Sequence, residues 1–309
     1  MDVLTDVLQN MRLQSIVYGR MELSAPWGLE FPSRDAHLQF FVISRGSCYL
    51  QLGAGKPLQL SAGDFVFLPR GSRHSLKSDP QSPVLPAEKI LSFCGEWKGK
   101  GIFRHGGKGA ETALLGGFFS FDQGSFEPLM QSLPEVLHVK ADSASAPWLE
   151  AVRKLVMIET SEEQPGARIV VSRLADVLFI QAVRAYLGQC SSQQGGWLRA
   201  LSDPKIGTAL SKIHEAPQQD WTVESLAAAA AMSRSAFAAQ FNALVGEPPL
   251  SYLSRWRMGR AAAMLKSGQS SIDEVAKSSG YRSAAAFSKA FKRLQGAAPG
   301  AFKRKNHEV

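Results

Sequence analysis

The sequence predicts a multidomain chain, with an N-terminal all-β barrel that carries appended helices and a C-terminal all-α domain. Three observations support this fold class. Residues 35–95 alternate short apolar strands with turn residues, residues 226–309 repeat a helical pattern, and the excess positive charge lies in the last third of the chain. A length of 309 residues is sufficient for a hydrophobic core in each domain.

The first half of the chain has the rhythm of a small antiparallel β structure. Strands are predicted over His37–Ile43, Ser47–Leu52, Pro57–Leu60, Phe65–Leu68 and Lys89–Phe93, with further apolar segments at Leu114–Phe121 and Leu133–His138. Short, closely spaced strands of this kind favour a barrel or a double-sheet jelly roll. We place the barrel at about residues 15–140.

Two amphipathic helices are predicted after the barrel, at about residues 146–188. Their apolar strips are Leu149, Val152, Leu155 and Val156 in the first helix, and Leu174, Val177, Leu178 and Val183 in the second. The polar stretch that begins at Ser191 predicts a flexible linker. The predicted domains are therefore residues 1–190 and 203–309, joined by a linker at 191–202.

The C-terminal domain repeats one helical unit at a spacing of about fifty residues. Fifty residues separate Phe237 from Phe287, Phe241 from Phe291, Gly246 from Gly296 and Pro249 from Pro299, whereas forty-nine separate Leu226 from Val275. The one-residue difference falls in the turn between two helices, where a change of length interrupts no helical register. Helix-turn-helix units are therefore predicted at about residues 222–246 and 271–296.

Capping residues predict where the helices of these units begin. Thr222 and Ser233 are suited to N-cap positions, and Ser271 with Glu274 has the spacing of a capping box. Pro249 is suited to the first turn of a spacer helix that runs to about Lys266 and is roughly 25 Å long. This length would separate two recognition helices by about one turn of DNA, ~34 Å.

Basic side chains are concentrated beside the repeat. From Lys205 onward there are 15 lysine and arginine residues against 7 aspartate and glutamate residues, whereas residues 1–204 hold 20 of each, so the last third carries the whole net charge of +8. Charge confined to one domain is expected of a protein that contacts phosphates, and a solvated basic face is the alternative. We predict double-stranded DNA as the partner.

Composition narrows the remaining classes of protein. The acidic N-terminus does not resemble a secretory signal, and no apolar run approaches the ~18 residues that cross a bilayer, so we expect a soluble, cytoplasmic protein with no membrane partner. Cys48, Cys94 and Cys190 are odd in number and widely spaced. This pattern argues against a disulfide framework or a clustered zinc site.

The motifs of the C-terminal domain together resemble the DNA-binding domain of the AraC/XylS family of bacterial transcription regulators. They comprise Met232-Ser233-Arg234-Ser235, the spacer from Pro249 to Arg257, Gly280-Tyr281, the two phenylalanine pairs, and Gly296, Pro299 and Phe302. The resemblance implies that DNA-facing residues lie near the start of each recognition helix. These are Ser233, Arg234, Ser235, Ala238 and Ala239 in the first unit, and Arg282, Ser283, Ala284, Ala285 and Lys289 in the second.

The chemistry of these positions indicates how they would read DNA. Alanine packs on a thymine methyl group but donates no hydrogen bond, so direct readout is expected of Arg234, Arg282 and Lys289. Contact with phosphate alone is the alternative for each arginine. Sequence specificity would then depend partly on the shape of the DNA.

The barrel contains a motif that matches the second motif of the cupins. Between Gly63 and His74 the chain has a glycine, five residues, Pro69-Arg70-Gly71, two residues and a histidine. The first motif is incomplete, because His37-Leu38-Gln39 replaces His-x-His and Ser44 stands near the expected glutamate. We therefore predict no bound metal or other cofactor and no catalytic residues, and assign His37, Gln39 and His74 to an effector pocket.

With this motif the resemblance extends to the cupin-type sensor domains of one branch of the AraC/XylS family. It implies a homodimer formed through the two helices, an effector whose identity the sequence does not reveal, and RNA polymerase as a further partner. Cys94 stands where some relatives carry an oxidant-sensing cysteine, whereas Met21 occupies the expected place of a second thiol. A buried, inert cysteine is the alternative for Cys94.

We accordingly predict a sequence-specific transcription regulator whose barrel senses a small-molecule or redox signal. Two alternatives remain at this point. One is a cupin metalloenzyme with a nucleic-acid-binding tail, and the other is a nonspecific architectural DNA-binding protein.

Overall fold

A computed structural model of the chain describes residues 2–11, 13–33, 38–88, 102–121, 127–141, 147–161, 164–189, 196–268 and 270–305. The chain divides into two compact units. We call residues 13–121 with 133–189 the barrel unit, and residues 1–12, 122–132 and 190–309 the DNA-binding unit. The strand predicted at Lys89–Phe93 lies outside the described residues.

Two β-sheets form the barrel unit. The strands are β1 (Gln14–Ser24), β2 (Gly28–Phe31), β3 (Leu38–Arg45), β4 (Ser47–Leu52), β5 (Leu58–Ser61), β6 (Phe65–Phe67), β7 (His74–Lys77), β8 (Leu85–Pro86), β9 (Phe103–Gly106), β10 (Glu111–Ser120) and β11 (Leu137–Val139). Among the described residues, the strand order is β11-β6-β3-β10-β1-β9 in one sheet and β5-β4-β7-β2-β8 in the other. This arrangement confirms the predicted β-rich cupin-like domain.

The core of the barrel unit is formed by side chains from both sheets. Phe41 and Leu114 from the first sheet pack in one apolar cluster with Phe31, Leu50 and Leu76 from the second. Because side chains alternate along a strand, Phe40 lies on the other face of β3 from Phe41. Apolar side chains predominate on this inward face, as expected when a sheet buries one face in a core.

The outer face of the first sheet is covered by the second of two helices, α3 (Pro147–Ser161) and α4 (Ala167–Gln189). Phe179 of α4 meets Phe67 with ring centroids 5.4 Å apart and Phe119 at 5.3 Å. Gly117 allows close packing on this face, since a Cβ there would lie 2.6 Å from the Phe40 ring. Both predicted helices are thus present, and α4 packs on the barrel.

The DNA-binding unit is helical throughout its described part. Its helices are α1 (Val3–Asn10), α2 (Glu127–Ser132), α5 (Trp197–Ser202), α6 (Ile206–Glu215), α7 (Val223–Ala229), α8 (Arg234–Val245), α9 (Pro249–Ser267), α10 (Ile272–Ser278), α11 (Ala284–Gln295) and α12 (Pro299–Lys305). The predicted helix-turn-helix units correspond to α7–α8 and α10–α11. The predicted spacer helix is α9.

Two segments that we assigned by sequence to the first domain pack within the DNA-binding unit. Asp6 of α1 belongs to no motif in the sequence. Its carboxylate nevertheless lies 2.7 Å from Nδ1 of His214 in α6. His214 Nε2 lies 2.7 Å from the Tyr252 hydroxyl, which accepts a hydrogen bond from Trp197 Nε1 at 3.0 Å. The network is consistent with a neutral histidine that donates from Nδ1 and accepts at Nε2.

This network explains why the observed division differs from a continuous first domain of residues 1–190. Burial of the Asp6 carboxylate requires a partner, and His214 supplies it from the other end of the sequence. The linker prediction also differs from the structure, because residues 197–202 form α5 and Trp197 is buried. Residues 191–195 lie outside the described part of the chain.

Candidate nucleic-acid interface

The first helix-turn-helix unit is built on a buried phenylalanine pair and two side-chain caps. Phe237 and Phe241 are fully buried on one face of α8, with ring centroids 5.6 Å apart. Thr222 caps α7 as predicted, in a reciprocal pair with Ser225, and Ser233 accepts a hydrogen bond from the amide of Ala236 at the start of α8. These contacts fix the end of α8 that the sequence predicts to face DNA.

The second unit repeats this construction. Phe287 and Phe291 are buried on one face of α11, with ring centroids 5.5 Å apart. Ser271 and Glu274 form the predicted capping box at the start of α10. Ser283, which we predicted only as a DNA-facing residue, is the N-cap of α11 and accepts from the amide of Ala286.

The turns of the two units identify the residue that makes their lengths differ. Ala231 and Gly280 are forty-nine residues apart, and both have positive φ angles, of 51° and 75°. The next amides, of Met232 and Tyr281, bond to equivalent carbonyls at the ends of α7 and α10. Since the N-caps Ser233 and Ser283 are fifty residues apart, Arg282 is the additional residue of the second turn.

The predicted DNA-facing residues all lie outside the two phenylalanine cores. None of the ten is buried, and only Ala238 and Ala284 are partly buried. The eight exposed residues are Ser233, Arg234, Ser235, Ala239, Arg282, Ser283, Ala285 and Lys289. Direct contact with DNA at these positions stays a prediction.

Two of the predicted arginines form ion pairs that sequence analysis did not anticipate. Arg234 Nε lies 2.5 Å from the Glu224 carboxylate, and Arg282 Nη2 donates to the Asp220 carboxylate at 2.7 Å. The hydrogen bond from Arg282 lowers the pKa of Asp220. Sixty-two residues separate this pair, so no local sequence pattern could have revealed it.

The loop that carries Asp220 is attached to the spacer helix. Arg257 of α9 donates from Nε to the Pro217 carbonyl and from Nη2 to the Gln219 carbonyl, the latter at 2.8 Å. Its guanidinium also lies over the Tyr281 ring, 6.0 Å from the centroid. Burial of the guanidinium lowers the pKa of Arg257. This side chain therefore joins the loop before α7 to the turn of the second unit.

The spacer helix is part of the core that supports the second unit. α9 contains 19 residues, which corresponds to about 28 Å, and Met258, Ala261 and Leu265 pack with Phe287 and Phe291. Gly268 ends it in the left-handed conformation. The predicted separation of recognition helices by one DNA turn stays a prediction.

In the barrel unit, the predicted effector residues have different positions. His37 lies outside the described residues. Gln39 is buried in β3 and shares a strand face with Phe41, whereas His74 is buried at 1% exposure and stacks on Phe31 with centroids 4.9 Å apart. Burial lowers the pKa of His74 to about 4, so the imidazole is neutral near pH 7.

The hydrogen bonds of His74 leave one ring nitrogen without a partner. Nδ1 lies 2.8 Å from the Ser72 carbonyl and must donate to it, which makes Nε2 an acceptor, and Nε2 is buried without a hydrogen-bond partner among the described residues. No group of three histidine, cysteine, aspartate or glutamate residues is placed to bind a metal in the described parts of the chain. The rings of Phe31 and Phe41 pack against His74, and the absence of a bound metal stays a prediction.

Of the two cysteines in the barrel unit, Cys48 lies among the described residues and Cys94 does not. Cys94 lies outside the described residues, so its proposed redox role stays a prediction. Cys48 is fully buried, and burial raises the pKa of its thiol to about 12. Met21 is also buried in the barrel core. No helix in the described part of the chain is long and apolar enough to cross a membrane.

Comparisons with known proteins find a match for each part of the chain. Residues 2–188 match the family described as Cupin, and residues 226–305 match the family described as Helix-turn-helix domain. A putative AraC-like transcription regulator of Streptomyces lividans is 33% identical over 98% of both chains. The HTH-type transcriptional regulator AlkR of Acinetobacter baylyi is 34% identical over 95% of this chain and 96% of its own.

A solved structure matches the C-terminal part. It is the DNA-binding domain of AdpA in complex with a target DNA, with 34% identity, coverage of 34% of this chain and 95% of that chain, and a TM-score of 0.33. The full-length relatives show the family directly, since identity above 30% extends over nearly the whole of each chain. The chain therefore belongs to the AraC family of transcription regulators, with an N-terminal cupin domain and a C-terminal helix-turn-helix DNA-binding domain.

Proposed function

We propose that this regulator reads its operator with the N-terminal ends of α8 and α11, and that the second unit supplies most of the hydrogen-bond readout. The observation that carries this proposal is the exposed position of Arg282 and Lys289 beside a recognition helix whose opposite face is fixed by Phe287 and Phe291. The first recognition helix presents Ser235, Ala238 and Ala239. Its contribution is expected to be methyl contact and shape readout.

In vitro selection from random duplexes with the full chain tests this proposal. Binding to the selected site should exceed binding to a shuffled site throughout a salt series, because nonspecific phosphate contacts alone weaken equally for both. Equal affinity for the two sites would identify a nonspecific DNA-binding protein.

Substitution of Arg282 tests the role of the second unit. Arg282→Ala should weaken the selected site by about 1–3 kcal/mol and remove preference at one base pair, as expected for loss of a bidentate contact to guanine. Lys292→Ala is the matched control, since it removes one exposed positive charge from the last turn of α11. That control should weaken all duplexes similarly.

We also propose that α3 and α4 form a homodimer contact. Apolar side chains remain exposed on both helices: Leu155 50%, Ile158 53%, Ile169 68%, Val170 40% and Val177 40%. Their burial in a dimer would remove apolar surface from water. Val177→Glu should shift the sedimentation of the full chain toward a monomer, whereas Leu250→Glu, at a residue of equal exposure on α9, should not.

For the signal, we propose that the barrel interior beside His74 receives a small effector with a hydrogen-bond donor. Nε2 of His74 has no hydrogen-bond partner in the described part of the chain, and this supports the proposal because a buried acceptor without a partner is costly and gains from a donor. A thermal-shift screen of small alcohols and amines should find ligands that stabilise the wild type but not His74→Leu. A ligand that stabilises both equally would place the site elsewhere. We propose that the protein has no catalytic role and that it acts on DNA in the cytoplasm.

A further inference from the structure

Arg282 occupies a position that the first unit lacks. It is the additional residue between the positive-φ turn residue Gly280 and the N-cap Ser283. Its guanidinium borders a groove of ≈ 620 Å³ at the start of α11, which is lined by Asp220, Lys277, Tyr281, Ser283 and Ala284 among others. A residue inserted at this point reaches the recognition end of the second unit without a counterpart in the first.

The partner of Arg282 comes from the first unit and is attached independently of Arg282. Asp220 lies in the loop before α7, and Arg257 bonds to the carbonyls of Pro217 and Gln219 in that loop. The loop is fixed further because Trp221 Nε1 donates to the Ala216 carbonyl at 2.9 Å. The backbone that carries Asp220 is thereby held beside the second turn, within reach of Arg282.

The ion pair leaves most of the guanidinium donors available. Only Nη2 of Arg282 donates to Asp220, and the two side chains are 91% and 69% exposed. The five N–H groups of a guanidinium therefore include a free edge that matches the O6 and N7 acceptors of guanine. Because the carboxylate offsets the charge, the pair contributes less than a free arginine to attraction by phosphates in general.

We propose that Asp220 is a positioning residue that holds Arg282 for base recognition. The second unit thereby distinguishes between base pairs and does not only contact phosphates. This inference rests on the proposed role of Arg282 at DNA. It adds a specificity determinant that lies in the first unit and acts through the second. The Glu224–Arg234 pair differs, since both of its members belong to the first unit.

The test compares the full chain with Asp220→Asn, Arg282→Ala, the double variant and Glu224→Gln on two duplexes. One is the selected site, and the other carries a substitution at the base pair to which Arg282→Ala becomes indifferent. Asp220→Asn and Glu224→Gln each remove one negative charge, so both should raise affinity for random duplex similarly. Only Asp220→Asn should lower the ratio of the two affinities, by roughly 3- to 10-fold, and it should not change that ratio further in the Arg282→Ala background.

The outcomes separate this inference from the function on which it rests. If the wild type prefers no sequence, the proposed function fails. If the wild type is selective but Asp220→Asn leaves the ratio unchanged or increases it, Asp220 merely repels DNA or competes with it, and the inference is overturned. An equal loss of ratio in Glu224→Gln would also overturn it, and an Arg282→Ala variant that weakens all sequences alike would reassign Arg282 to phosphate.

Discussion

Replacement of Gly280 by alanine is expected to disrupt the contact between the loop before α7 and the turn of the second helix-turn-helix unit. A Cβ atom at this position would lie 2.5 Å from the Gln218 carbonyl oxygen, and the φ angle of the residue is 75°. The left-handed conformation costs an alanine about 1–2 kcal/mol. Displacement of a backbone carbonyl adds roughly 1–3 kcal/mol, by analogy with overpacked cores. The expected loss of unfolding free energy is therefore about 2–5 kcal/mol.

Gly246 provides a matched control for this substitution. It has a φ angle of 85°, but a Cβ atom there would have no neighbour within 4 Å. Gly246→Ala should therefore cost only the conformational part, about 1–2 kcal/mol. The difference between the two variants isolates the close approach of the Gln218 loop to the second turn.

Hydrogen exchange followed by mass spectrometry measures this difference in the intact chain, in peptides from α9 and α11. Amides that exchange only on unfolding of the DNA-binding unit report its unfolding free energy without interference from the barrel unit. Gly280→Ala should also reduce selectivity at the Arg282 base pair, because the displaced loop carries Asp220. Equal costs for Gly280→Ala and Gly246→Ala, within about 0.5 kcal/mol, would refute the proposed close contact.

Three further outcomes are expected. The pKa of His74 falls from 6.5 to about 4 on folding, so the unfolded chain binds the proton more tightly than the folded chain. The stability that is present above pH 6.5 should therefore decrease by roughly 2 kcal/mol at pH 5. Hydrogen exchange of barrel peptides at pH 7.5 and 5 should show this decrease in the wild type and a smaller one in His74→Gln. Asp6→Ala should destabilise the DNA-binding unit by about 1–3 kcal/mol by leaving His214 without its acceptor, which faster exchange in α6 and α9 would reveal, whereas the exposed cap variant Asp2→Ala should affect α1 alone. Cys48 should resist iodoacetamide in the native chain at pH 8 and react after unfolding, because its thiol pKa is about 12; rapid native labelling of the Cys48 peptide would contradict its burial.

Local patterns in the sequence were sufficient for the helical units. The spacing of Phe237 and Phe241 places both on one helix face, and Thr222, Ser271 and Glu274 cap the helices that they precede. These features depend on neighbours within four residues, so their energetics are encoded locally. The same reasoning located the strands of the barrel, since alternation of apolar residues marks the buried face of a sheet.

Contacts between distant segments could not be predicted in this way. The Asp6–His214 hydrogen bond joins residues 208 positions apart, and it places α1 with the DNA-binding unit rather than with the adjacent barrel sequence. The Asp220–Arg282 pair likewise depends on a fold that brings two loops together. Neither pair belongs to a periodic pattern or a motif, so only the folded chain reveals which carboxylate pairs with which histidine or arginine.

Strand alternation and helix caps are properties of short segments, so they were sufficient to predict the β barrel and the two diverged helix-turn-helix units. The count of charged residues was sufficient to predict that the last third of the chain contacts DNA. The folded chain was needed to identify the additional residue in the second turn, the acids that pair with the arginines near the recognition helices, and the N-terminal helix that completes the DNA-binding unit. Those features arise from burial and from contacts across long separations in sequence, which no short segment specifies.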